Sequence, residues 1–105
     1  MPQSQPNQAQ NPQGQIQIKV TDEVMKGVYA NAMSVMHSRE EFTVDFMNIY
    51  PHQRAGIVNA RVIISPGHLK RIIAALQDNL KKYENQHGKI EEAQAPEPLG
   101  FDTKA

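Results

Sequence analysis

Hydrophobic and polar residues alternate strictly over Gln15–Val20, where Ile16, Ile18 and Val20 are separated by Gln17 and Lys19. A period of two is the mark of a strand with one buried face. The same period returns in Phe42–Tyr50, with Phe42, Val44 and Phe46 set against Thr43, Asp45 and Met47, and again in Ile57–Ser65, with Val58, Ala60, Val62 and Ile64 set against Asn59 and Arg61. Pro51-His52-Gln53-Arg54-Ala55-Gly56 joins these two runs as a turn. A hairpin that sets Phe42 opposite Ile64, Val44 opposite Val62 and Phe46 opposite Ala60 makes one face apolar and places Asp45 opposite Arg61 on the other. Thr21–Ser38 carries two periods at once. Val24, Met25, Val28, Tyr29, Ala32, Met33 and Met36 fall at helical spacing, but Gly27 and the β-branched Val28 and Val35 favour a turn at Asp22–Gly27 followed by a further strand.

The last periodic segment changes to the helical repeat. Leu69, Ile72, Ile73, Leu76, Leu80 and Tyr83 fall within an arc of about 100°, the width of a stripe that faces a core. Ser65 has the side chain of an N-cap, Pro66 sits at the first helical position, where its missing N–H costs nothing, and Gly88 follows the last periodic residue as a stop. The pattern therefore predicts an α+β fold: an antiparallel four-stranded β-meander followed by one long C-terminal amphipathic helix packed on one sheet face.

Composition changes this picture in two ways. Met1–Gly14, rich in Gln, Pro and Asn, holds no aliphatic side chain larger than Ala after Met1, and residues 91–105 are similarly poor in core formers. These read as disordered tails around a single domain at 15–90. A foldable unit of about 75 residues buries only about 60% of its unfolded surface and commonly needs a supplement. Cysteine is absent, so disulfides and thiolate metal sites are excluded and oligomerisation becomes the expected supplement. There is no signal-like N-terminus and no apolar run near the ~20 residues of a membrane span, so the expected location is the cytoplasm, with no membrane partner. The formal net charge is zero, which removes any bulk pull towards nucleic acid.

Candidate chemistry is sparse. The four histidines, His37, His52, His68 and His87, show no ligand-like spacing, so no metal and no cofactor is expected. His37-Ser38-Arg39-Glu40-Glu41 gathers polar groups of catalytic type, but on a turn, where adjacent side chains point apart, and no enzyme activity is expected from it. On the outward side of the helix Lys70, Arg71, Lys81 and Lys82 form a basic stripe, interrupted by Asp78, that suits an anionic partner such as a nucleic acid. No aromatic side chains interleave with it for base stacking. Ser65, Gly67 and His68 at the helix start are a candidate anion site. The face opposite the helix carries Met47, Ile49, Ile57 and Ile63 beside Asp45 and Arg61. That is more apolar surface than a solvated sheet face shows, and it is the candidate oligomer or partner surface.

The residues Val28-Tyr29-Ala30-Asn31, His37-Ser38, Glu41-Phe42-Thr43-Val44-Asp45-Phe46, Arg61-Val62-Ile63-Ile64-Ser65-Pro66-Gly67-His68-Leu69-Lys70-Arg71 and Leu76-Gln77 with Tyr83-Glu84 occur in order along the chain. Together they resemble the small prokaryotic family catalogued as domain of unknown function thirty-four sixty-seven, over Ile16 to about Ile90. The resemblance implies one compact domain and favours a strand over Tyr29–Ser38, and it carries over no catalytic residue. A four-strand meander followed by a long helix is also similar in outline to the export chaperone SecB, which is oligomeric and binds unfolded chains. The expectation that follows is a non-enzymatic interaction module that self-associates and binds a protein partner. A nucleic-acid-associated protein and a SecB-like chaperone or adaptor are the alternatives.

Overall fold

The computed structural model describes residues 14–101. Residues 1–13 of the expected N-terminal tail, and the end of the C-terminal one, lie outside the described residues. In chain order the elements are a single helical turn α1 (Asp22–Met25), strands β1 (Ala32–His37) and β2 (Phe42–Tyr50), a 3-10 turn (Pro51–Gln53), strand β3 (Ala55–Ile64) and the long helix α2 (Pro66–His87). The fold is α+β, with a three-stranded antiparallel sheet in the order β1-β2-β3.

The hairpin register follows the hydrophobic pattern: Phe42 pairs with Ile64, Val44 with Val62, Asp45 with Arg61 and Phe46 with Ala60. β1 extends the same logic, with Met33 opposite Phe46, Ser34 opposite Asp45 and Val35 opposite Val44. Paired side chains share a face, so one face collects Met33, Val35, Phe42, Val44, Phe46, Ala60, Val62 and Ile64. We call this the apolar face. The other carries Ser34, Asp45 and Arg61 in a row and is the ionic face.

Four expectations are corrected. The sheet has three strands, not four. Gln15–Val20 forms no strand and pairs with nothing among the described residues, and Ile16 and Ile18 are 85% and 77% exposed. Alternation specifies a strand's two faces but cannot supply the neighbouring edge that a strand needs. The segment from Asp22 forms α1, capped by the Thr21 hydroxyl, which accepts the Val24 N–H at 3.2 Å, and closed by Gly27 at φ 75°. The strand therefore starts only at Ala32.

The third correction concerns the ladder. The register shifts between Phe46 and Met47, so that Met47 faces Val58 and Asn59 is the extra residue of a β-bulge. Beyond the bulge every β3 side chain changes sides: Ile57 pairs with Asn48, away from Met47 and Ile49, and Val58 takes the place expected for it.

The fourth is the largest. α2 forms as expected, with Ser65 as N-cap accepting the His68 N–H at 3.4 Å, Pro66 in the first turn and Gly88 at the C-cap. It does not pack on the sheet. Close contacts between elements, isolated ones aside, are confined to the two strand pairs, and Ile72, Ile73, Leu76, Leu80 and Tyr83 are all exposed, Leu76 by 65%. The physical reason lies in the connection. Ser65 alone separates β3 from α2, whereas strand-to-helix joints that fold a helix back onto its sheet usually span about 2–6 residues. Proline at the first helical position stiffens that joint further. The buried apolar core among the described residues is consequently Val44 and Met47, each 5% exposed.

Gly56 permits a close approach of β3 to β2. A Cβ there would lie 2.8 Å from the Asn48 carbonyl oxygen and 3.3 Å from the Ile49 Cα. Both are backbone atoms of β2 and cannot swing away. Gly56→Ala is expected to destabilise the fold by about 1–3 kcal/mol, the range for forced overpacking, read as a lower urea midpoint at unchanged slope.

Candidate functional site

Two polar constellations hold the sheet. The first crosses the middle of the ionic face. Asp45 sits on the central strand with β3 on one side and β1 on the other, and it is 2% exposed. Arg61 meets it as a two-pronged clamp: Nε donates to Oδ1 at 2.7 Å and a terminal guanidinium nitrogen donates to Oδ2 at 2.8 Å. This is the planar geometry in which arginine and carboxylate bind most strongly. The Arg61 hydrogen bonds hold the Asp45 carboxyl below the usual carboxylate range against the opposing push of burial, with the guanidinium charge adding to the effect. The same bonds raise Arg61 above its ordinary value. Both carboxylate oxygens are occupied, so the pair acts as a fixed cross-strand tie. The Arg61 side chain stays 57% exposed, leaving the outer side of the guanidinium open to solvent.

The second constellation is a clasp of three asparagines at the bulge. Asn31, ahead of β1, uses its side-chain amide as a stretch of strand: Nδ2 donates to the Ile49 carbonyl at 3.0 Å while Oδ1 accepts the Ile49 N–H at 2.8 Å. Its own backbone N–H donates to the Met47 carbonyl at 3.0 Å. Asn48 on β2 and Asn59 on β3 both donate to the Tyr29 carbonyl, at 2.9 and 3.1 Å. The bulge is what lets Asn59 join its neighbour on one acceptor. Two strands thus grip the chain at Tyr29 and guide it into β1.

The remaining candidates disperse. Met47, Ile49, Ile63, Asp45 and Arg61 share the ionic face, and Ile57 is carried by the bulge to the other. Of the basic stripe, Lys82 is tied to Asp78 at 3.2 Å, and Arg71 lines a shallow hollow at the β3–α2 joint with Ile63, Ser65, His68, Ile72 and Ala75. Lys70 and Lys81 are solvated on the helix. At the helix start the Ser65 hydroxyl already takes the His68 N–H, and Gly67 does not line the hollow. His37 packs its ring 5.3 Å from that of Phe42, and Ser38 caps the β1–β2 turn by accepting the Glu40 and Glu41 N–H groups. Among the described residues no three His, Cys, Asp or Glu side chains converge as metal ligands, and no helix is long and apolar enough to cross a membrane. The asparagine clasp was not anticipated. Its one signal in the sequence was the recurrence of Asn next to predicted strand ends.

A single antiparallel hairpin with one added strand, cross-tied by Asp45 and Arg61, and a long C-terminal helix define a small α+β module. The chain belongs to the family described as protein of unknown function (DUF3467), whose profile matches residues 2–92. No curated protein and no solved structure gives a significant match. The likeness in layout to SecB rested on a fourth strand that the sheet does not contain.

The depressed Asp45 pKa predicts a pH dependence. The folded state binds this proton less readily than the unfolded state, so the contribution is complete above the ordinary carboxylate range and disappears as pH falls through the lowered folded value. Thermal unfolding followed across the acid range should show it, and Asp45→Asn should flatten that limb. Asn31→Asp, which keeps the acceptor but sets a carboxylate against the Ile49 carbonyl, is expected to cost about 1–3 kcal/mol, since two hydrogen bonds are affected, read by urea unfolding at neutral pH.

Proposed function

We propose that this chain is a self-associating, non-enzymatic protein-interaction module. The observation that carries the reading is the open state of the single chain: an apolar helix stripe and an apolar sheet face are both formed, and neither covers the other. Each would be buried in a monomer that closed its own core. Exposed apolar surface of this extent marks an interaction site.

Two further features support it. The chain holds no cysteine and no net charge, so neither cross-links nor self-repulsion compete with association of like copies. The Asp45–Arg61 tie keeps the sheet rigid without help from the helix, as an interface platform requires. The self-association reading is preferred to nucleic-acid binding because the basic stripe is partly neutralised by Asp78 and lacks an aromatic partner.

Sedimentation equilibrium at micromolar concentration is expected to give at least twice the chain mass, and a strict monomer would remove the reading. Leu76 is a sharp probe because its side chain is mostly exposed in the single chain. Leu76→Glu should weaken association by tenfold or more, roughly the loss of one buried leucine, and leave the far-ultraviolet circular dichroism of the sheet in place.

A further inference from the structure

We infer that two copies of this chain exchange their long helices: α2 of each lies across the apolar sheet face of the other. The inference rests on the self-association reading and specifies its geometry.

Four observations point to a second copy as the occupant. The first is the joint. With only Ser65 between β3 and α2, and Pro66 fixing the first helical φ, the helix is directed away from its own sheet. A short hinge that prevents a helix from closing on its own domain favours closing on a neighbour's. The second is complementarity. A helix with one apolar stripe and a sheet with one apolar face are the two halves of a standard two-layer packing, and every copy carries both halves. A two-fold arrangement satisfies all four surfaces at once and leaves none to propagate.

The third is the choice of face. Met33, Val35, Phe46 and Val62 cover the apolar face across all three strands. The ionic face has Asp45 and Arg61 at its centre, and a leucine-rich stripe laid there would strip water from the half-exposed guanidinium. The stripe therefore selects the apolar face. The fourth is area. The five exposed side chains of the helix stripe and the four of the sheet face, each between 37% and 65% exposed, together offer roughly the 800 Å² per partner that a standard stable interface covers. The match needs no third protein.

The same packing accounts for the hollow at the joint, lined by Ile63, Ile64, Ile72 and Ala75. It lies where each helix leaves its own strand, so its apolar walls flank the hinge of the exchange.

The test uses the full chain with the photoreactive residue benzoylphenylalanine in place of Leu76, mixed with isotope-labelled unmodified chain and irradiated. The expected product has twice the chain mass, combines a light and a heavy copy, and on digestion joins the Leu76 position to strand peptides containing Met33, Val35, Phe46 or Val62. Cross-links to those strands within one chain would overturn helix exchange, since the helix would then close on its own sheet. Cross-links from helix to helix, or to the ionic face, would overturn it as well while leaving self-association standing. Sedimentation of the unmodified chain as a monomer would remove both.

Discussion

One residue separates the last strand from the long helix, and the architecture of the molecule depends on that spacing. Ser65 has to end a β-strand, cap a helix and hand over to a proline within a single backbone unit. Each task suits serine: its extended backbone continues β3, and its hydroxyl satisfies one of the N–H groups that every helix start leaves free. Together they leave no slack. The helix is well formed and well capped, and it stands off the sheet whose apolar face its stripe would fit.

Because the helix does not cover the sheet, the sheet must hold itself by polar means. The central strand is tied to β3 by the two-pronged Arg61–Asp45 pair and to the incoming chain by Asn31, whose amide serves as a substitute peptide group for Ile49. Asn48 and Asn59 then fix Tyr29. A buried carboxylate without a partner would be costly, and the guanidinium removes that cost by supplying two donors in its own plane. Burial of apolar surface, ordinarily the dominant stabilising contribution in a domain, is nearly absent from the single chain, and the proposed association would supply it.

Much of this was legible in the sequence. The alternation in Phe42–Phe46 and Ala60–Ile64 indicated the hairpin register down to the Asp45–Arg61 pair, because that register gathers Phe42, Val44, Phe46, Ala60, Val62 and Ile64 on one side and sets the opposite charges together on the other. Ser65, Pro66 and Gly88 marked the helix ends. What was not legible depends on partners or on a single inserted residue. The bulge at Asn59 breaks no local pattern yet moves Ile57 to the opposite face. Ile16, Ile18 and Val20 have the spacing of a strand with no edge to join. A helix stripe marks apolar surface on the helix, but not what it packs against. The one-residue joint at Ser65 was legible as a missing loop between strand and helix patterns, but its consequence for where the helix goes was not.

Completion of the core by association, as proposed, is tested most directly by concentration-dependent unfolding. Thermal unfolding of the unmodified chain, followed over a hundredfold range of concentration, should show a midpoint that rises steadily with concentration, because association stabilises only the folded state. A midpoint that stays constant over that range, with a single-chain mass in solution, would contradict the account.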